Sequence, residues 1–184
     1  MKKILLLSDT HNYWDSRFAD YIASCDEVWH AGDMCSYEHA QRFAQLATFR
    51  AVCGNCDGGD LRRVYPEVLR WRCEEVEVLM KHIGGYPGHY DRSVWQHLSS
   101  MSEMVRRTQQ QPTGLPDMDM KQPLGLFISG HSHILKVQYD ESLGLLHINP
   151  GAAGIQGWQH MRTLVRFVID GADIRDLEVI ELGK

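Results

Sequence analysis

The chain has 184 residues, 43% of them hydrophobic and 23% charged, with a formal net charge of −5. That length supports one domain with a sizeable core and gives no reason for two, so a single domain over residues 1–184 is expected. The acidic balance excludes a general nucleic-acid-coating role, which calls for a basic face, but not an enzyme that meets a small anion at a metal.

The opening "MKKILLL" mimics a secretory signal, but its apolar run is only Ile4 to Leu7 and Asp9 follows at once. It reads as a first strand over Lys3–Leu7, and an unbroken "ILLL" fits a strand buried on both faces. A helix over Trp14–Ser24, a strand over Asp26–His30, a helix over Ser36–Leu46 and a strand over Thr48–Cys53 follow. This alternation predicts βαβ units and a mostly parallel sheet. Trp71–Cys73 and Val76–Met80 then read as a hairpin. Asp91–Gln109 reads as a helix with Val94, Leu98, Met101 and Val105 along one face. Residues Gln109 to Pro123, "QQQPTGLPDMDMKQP", read as a slack connecting loop. Strands resume at Leu124–Ser129, Lys136–Tyr139 and Leu145–Ile148. A last hairpin joins Met161–Ile169 to Ile174–Glu181 through Asp170-Gly171. No segment is apolar enough to cross a membrane.

The five cysteines are Cys25, Cys35, Cys53, Cys56 and Cys73. An odd count fits reduced thiols and a cytoplasmic setting. Cys53 and Cys56 form a C-x-x-C without the second pair that a structural zinc site would use.

The polar residues fall at strand ends. The first strand runs into Asp9-Thr10-His11, the second into Gly32-Asp33 and the third into Gly54-Asn55-Cys56-Asp57. The strand ending at Met80 runs into Lys81-His82, and the one at Leu126–Ser129 into Gly130-His131-Ser132-His133. Ligand sites of open α/β sheets lie outside the carboxyl ends of the strands. Extended i, i+2 spacing would let Asp9 and His11 grip one ion, and likewise His131 and His133. Gly32, Gly54 and Gly130 would supply sharp turns. Mixed carboxylate, imidazole and amide ligands suit borderline divalent ions such as manganese, iron or zinc. Two such ions at roughly 3.5–4 Å would make the site locally positive and attractive to phosphate. Taken singly, each of these residues reads as a cap, a turn or a surface histidine; the constellation carries the inference.

The ordered set "DTH", "GD", "GNCD", "KHIGG" and "SGHSH" resembles the calcineurin-like metallophosphoesterases, and most of all their small single-domain bacterial and archaeal phosphodiesterase branch. "INPGAAG" (Ile148 to Gly154) resembles a further family segment. The resemblance implies an α/β fold, a four-layer αββα sandwich of two mixed β-sheets flanked by helices. It implies metal ligation by Asp9, His11 and His133 on one ion and by Asn55, His82 and His131 on the other, with Asp33 bridging. The ions would be manganese first, with iron, zinc or nickel as alternatives. The implied reaction is hydrolysis of small phosphodiesters by a metal-bridging hydroxide, with Asp33 and Asn55 catalytic and Cys56 and His11 meeting substrate. The other functions open to this fold are a phosphomonoesterase with the same centre and a non-catalytic scaffold like the related retromer subunit. A homo-oligomer is compatible with either.

Two departures from the family pattern stand out. Cys56 stands where many relatives have the histidine that assists the leaving group, and a thiol is a poorer proton donor near neutral pH. Modest rates and a preference for good leaving groups are therefore expected. His82 is followed by Ile83-Gly84-Gly85 where many relatives have Gly-His, which leaves a second-histidine role without an occupant. His30, His39, His97, His147 and His160 read as structural or surface residues, Asp57 as a cap for the next segment, and "GGYPGHY" as a flexible turn at the site rim. Arg62, Arg63, Arg70 and Arg72 read as a solvated face.

Overall fold

Alternate residues of the first apolar run serve two different cores. Strand β1 (Lys2–Leu7) turns Ile4 and Leu6 to one face, where they pack with Trp29, Val78, Met80, Ile128 and Phe167. Leu5 and Leu7 face the other way, onto Phe18, Ile22, Val28 and Phe43. All four side chains are at most 1% exposed, and burying each contributes about 1.5–3 kcal/mol. A strand covered on both sides has no use for polar alternation, which is why the run is unbroken.

The computed structural model describes residues 1–109 and 125–184. After β1 come α1 (Phe18–Ala23), β2 (Glu27–His30), α2 (Tyr37–Ala44), β3 (Thr48–Ala51), α3 (Gly59–Val64), β4 (Val68–Cys73) and β5 (Val76–Lys81). They are followed by β6 (Gly85–Tyr86), β7 (His89–Tyr90), α4 (Trp95–Gln109), β8 (Gly125–Ile128), β9 (Leu135–Asp140), β10 (Leu145–Pro150), β11 (Arg162–Asp170) and β12 (Asp173–Gly183). The loop expected over residues 109–123 lies outside the described residues, apart from Gln109 at the end of α4.

The strands form two five-stranded mixed sheets. In the first, of order β12-β11-β1-β2-β3, the βαβ units make β1, β2 and β3 parallel, and the final hairpin adds β11 and β12 antiparallel. In the second, of order β4-β5-β8-β10-β9, the central three strands are parallel and both edges antiparallel. The sheets face each other across the Ile4–Phe167 core. Helices α1 and α2 cover the outer face of the first sheet, and α4 lays Leu98, Met101 and Val105 on the outer face of the second, with Val94 just ahead of it. The result is the four-layer αββα sandwich.

Local differences from expectation have physical causes. Helix α1 starts at Phe18 because the Asp15 carboxylate accepts from the Arg17 amide at 3.1 Å and from its guanidinium at 2.8 Å, holding a turn where a helix was expected. Helix α2 begins where expected, with Ser36 Oγ accepting from His39 N at 3.1 Å. "GGYPGHY" pairs with itself as β6 and β7 instead of forming a free turn. None of the described helices is long and apolar enough to cross a membrane.

Candidate metal centre

The loops that follow β1, β2, β5 and β8 are tied to one another by their own backbones. Asp9 N donates to Gly32 O, His11 N to Asp33 O and Asn12 N to Met34 O, each at 3.0 Å, so the first loop runs alongside the second. From the opposite sheet, Gly130 N donates to His82 O at 3.0 Å and His131 N donates to Asp9 Oδ2 at 3.1 Å. The Pro150–Gly154 turn braces the same loop, since Ala153 N and Gly154 N donate to Ser8 O and Asp9 O at 2.9 and 3.1 Å.

Strand alternation does not aim these side chains. Asp9, His11, Asp33, His131 and His133 all have left-handed backbone, with φ between 45° and 67°. Asp9 and His11 therefore meet through turned backbone and not through a shared strand face, and His131 turns to His82 while His133 turns to Asp9 and His11. Such conformations cost about 1–3 kcal/mol each in non-glycine residues and persist where the surroundings over-determine them. Here the interloop ladder does so. The glycines need amendment too. Gly32, at φ +101°, is a turn residue as expected, whereas Gly54 and Gly130 serve close approach. A Cβ on Gly54 would overlap the Asp33 carboxylate and amide, and one on Gly130 would overlap Ser8 Oγ.

The side chains converge. His133 Nε2 lies 3.1 Å from Asp9 Oδ1 and 3.4 Å from His11 Nε2. His11 Nε2 is 4.0 Å from Asp9 Oδ1 and 3.9 Å from Asp33 Oδ2. His82 Nε2 is 3.3 Å from Asp33 Oδ2 and 3.8 Å from Asp9 Oδ1. His131 stacks edge-on against His82, with ring centroids 5.4 Å apart. Asn55 lines the same cavity, of about 330 Å³, with His11, Asp33, Cys56, His131 and His133. Asp9, His11 and His133 form one group with metal-ligand spacing, and Asp9, Asp33 and His82 another.

Two atoms at the floor of the cluster decide what it is suited to hold. Asp9 Oδ1 and His82 Nε2 are buried and have no hydrogen-bond partner among the described residues. A buried unpaired carboxylate oxygen beside a buried unpaired imidazole nitrogen is costly in a protein interior. A divalent cation satisfies both at once, and the oxygen and nitrogen donors fit a borderline ion.

The surrounding residues fix how these ligands point. His82 Nδ1 donates to Ala31 O at 2.7 Å, which leaves the Nε2 lone pair facing the cluster. His133 Nδ1 donates to Gln159 Oε1 at 2.9 Å in the same way. Asp33 Oδ1 accepts from Cys56 N at 2.8 Å. Burial by itself would raise the Asp33 carboxyl, but His82 and Cys56 outweigh it and hold it below the usual carboxylate range. Burial opposes protonation of His82, yet Asp33 and Asp9 outweigh that and raise it, while the neighbouring Asp9 carboxylate raises His133. Both shifts set protons in competition with a metal for these nitrogens.

Asp57 has a larger part than the cap expected of it. Its Oδ2 accepts from Asp33 N at 2.9 Å and Gly54 N at 2.8 Å, and its Oδ1 accepts from Cys35 N at 2.6 Å, so it clamps the second and third loops together. Helix α3 has no side-chain cap. Asn149 clamps the fifth loop, with Nδ2 donating to Gly130 O at 2.8 Å and Ser132 Oγ at 3.1 Å. His30 and His39 are structural: both meet Thr10 Oγ1 at 2.9 Å beneath the first loop. Arg62 is a brace, donating to Asp57 O at 2.7 Å and Gly54 O at 2.9 Å.

All five cysteines are free thiols. Burial and the Asp33 carboxylate push Cys56 up to about 11, and burial with Asp57 pushes Cys53 up to about 11. Cys53 Sγ also donates to Tyr65 O at 2.7 Å, pointing away from Cys56 toward α3. These are protonated thiols near neutral pH, unsuited to thiolate redox chemistry.

Comparison with known proteins agrees with this geometry. The chain is 31% identical over 157 residues to a Mycoplasma pneumoniae protein named "probable metallophosphoesterase", covering 84% of this chain and 81% of that one. The structure of Entamoeba histolytica Vps29 complexed with zinc superposes with a TM-score of 0.60 at 17% identity, covering 97% of this chain and 98% of that one. A Streptococcus pneumoniae protein described as a predicted phosphoesterase superposes with a TM-score of 0.55 at 18% identity, covering 98% and 97%. At those identities the likeness to the solved structures is one of fold alone. The sequence model of the calcineurin-like phosphoesterase superfamily domain matches residues 1–172, and the chain belongs to that superfamily.

Proposed function

We propose that this protein is a divalent-metal-dependent phosphoesterase that hydrolyses small phosphodiesters. The observation that carries the proposal is the buried, unpartnered pair of Asp9 Oδ1 and His82 Nε2 beside Asp33. Asp9, His11 and His133 would hold one cation and Asn55, His82 and His131 the other, with Asp33 shared. When bound, such a pair supplies Lewis acidity toward phosphoryl oxygens and lowers the pKa of water. Manganese is the first choice, with iron, zinc or nickel as alternatives.

The chain's own residues do the rest. Asp33 and Asn55 both line the cavity, with Asp33 held in orientation by the Cys56 amide. His11 and Cys56 line the same cavity and would meet the substrate there. The Cys56 thiol is a weak proton donor, so esters of acidic alcohols should react fastest. A second cavity of about 430 Å³ adjoins the first at His131 and Ser132, giving room for the two organic arms that distinguish a diester from a monoester.

The test is turnover of bis(p-nitrophenyl) phosphate by purified protein with added manganese, beside p-nitrophenyl phosphate on the same preparation. Diester hydrolysis should exceed monoester hydrolysis, and Asp33→Asn and His82→Ala should each abolish it. Activity retained in both variants would remove the reading, and a monoester preference would replace it with a phosphomonoesterase.

A further inference from the structure

Residues 155–161, which join β10 to β11, carry two side chains with different tasks. Gln159 is fully engaged by the protein. Its Nε2 donates to Gly154 O at 3.0 Å and to Gln156 O at 2.7 Å, and its Oε1 accepts from His133 Nδ1 at 2.9 Å. Gly157, at φ +114°, lies against that last bond, and a Cβ there would overlap His133 Nδ1. The neighbours of Trp158 on both sides are therefore fixed against a metal ligand. Trp158 itself is 97% exposed, and its indole has no ring or hydrogen-bond partner among the described residues. An anchored segment thus holds a large apolar side chain in water that nothing in the fold covers.

Trp158 borders two cavities. One is the metal cavity; the other, of about 510 Å³, meets it at Ser132, His133 and Trp158 and continues along Ile134, Leu135 and Met161. Those three apolar side chains are 65%, 36% and 40% exposed. The polar side chains of this groove are mostly committed elsewhere. Thr163 Oγ1 donates to Pro150 O at 2.6 Å, Ser132 Oγ accepts from Asn149 Nδ2 at 3.1 Å and Ile134 N at 3.3 Å, and Gln159 has no amide hydrogen to spare. His160 and Glu181 remain, both exposed, and the Glu181 carboxylate repels a second anion. What the groove chiefly offers a ligand is indole, aliphatic and thioether surface.

We infer that this groove receives an apolar arm, alkyl or aryl, of a phosphodiester whose phosphate lies at the metal centre, and that Trp158 is the residue that selects it. Continuity of the groove with the metal cavity assigns the occupant, and the inference rests on the phosphodiesterase reading for the phosphate. A sugar or peptide arm would bring donors and acceptors to a wall whose own polar groups are largely paired. An apolar arm brings none and gains by leaving water.

The experiment titrates methylphosphonate and n-butylphosphonate, whose C–P bonds a phosphoesterase leaves intact, into the full chain with added zinc. Calorimetry gives the affinities, and NMR follows the indole N–H resonance that Trp158→Phe removes. The butyl compound should bind roughly tenfold more tightly, against about 60-fold if its three extra methylenes were fully buried, and should shift that resonance. Trp158→Ala and Met161→Ser, both at exposed positions, should each bring the ratio below about threefold. Equal affinities, an unmoved Trp158 resonance, or a ratio unchanged in both variants would overturn the inference. So would a dimer in sedimentation that Met161→Asp dissociates, which would give the groove to a second copy of the chain. Turnover of methyl and butyl p-nitrophenyl phosphate with manganese separates the two readings. Hydrolysis without a preference for the butyl arm removes the groove's role and keeps the phosphodiesterase. Trp158-dependent butylphosphonate binding without hydrolysis of either ester keeps the groove as a site for an apolar-tailed phosphate and removes the phosphodiesterase.

Discussion

Replacing Asp57 tests the way the second and third loops are held. Its carboxylate accepts three backbone amides, from Asp33, Gly54 and Cys35, at 2.6 to 2.9 Å. An asparagine in the same rotamer can keep its oxygen toward the Asp33 and Gly54 amides, but then turns its NH₂ toward Cys35 N, donor against donor. One charge-assisted bond is lost and the other two become neutral, so Asp57→Asn should destabilise by about 1.5–3 kcal/mol. Asp57→Ala strands all three amides and should cost more, about 3–5 kcal/mol once non-additivity is allowed for. Urea unfolding of the chelator-treated protein measures this. A manganese titration of the same variants should show roughly 10- to 100-fold weaker binding, because Asp33 loses its support. If Asp57→Asn matched the wild type within about 0.5 kcal/mol and bound manganese equally well, the clamp would be refuted.

Three further outcomes follow from the same structure. Manganese at about 100 times its Kd should stabilise the fold by about 2.7 kcal/mol, raising Tm by roughly 5–10 °C by calorimetry, and a chelator should reverse it. No shift would contradict the suitability of the buried Asp9 and His82 atoms for a cation. His39 and His147 are buried and pushed down to about 4, His39 by burial and Arg42, His147 by burial and Lys136 against an opposing Asp140. An unfolded chain takes up these protons near 6.5 and the folded one near 4, so the unfolded state binds more protons in between. The contribution of these two histidines to the metal-free protein should therefore be complete above pH 6.5 and fall by about 1.4 kcal/mol per pH unit per histidine as pH drops toward 4, against the opposite slope of His82 and His133, which are raised. His39→Gln should flatten the slope, as read by urea midpoints across that range. Gly54→Ala should displace Asp33 and weaken manganese binding by at least tenfold, whereas Gly58→Ala, whose Cβ would meet open space, should not.

The motif residues were legible because β-strand ends and metal ligands leave a sequence signature: a short apolar run broken by Asp, His or Asn. Ile4–Leu7 and Leu126–Ile128 showed both the sheets and where their polar ends would fall. The left-handed backbone at Asp9, His11, Asp33, His131 and His133 was not legible, because Asp and His adopt it only when a neighbouring loop compels them. Helix α3 was not legible, because it is six residues long and opens on Gly58-Gly59, a pair with low helix propensity. The supporting contacts were hidden for a different reason. Asp57 reaches Asp33 across 24 residues and Gln159 reaches His133 across 26, and nothing local marks either as a partner.

The central claim is that this cluster binds two cations with Asp33 between them, and anomalous diffraction at the manganese edge from crystals soaked in manganese tests it most directly. Two peaks are expected, one among Asp9, His11 and His133 and one among Asn55, His82 and His131, with Asp33 touching both. An empty cluster, or a single peak that leaves Asp9 Oδ1 or His82 Nε2 unliganded, would contradict it.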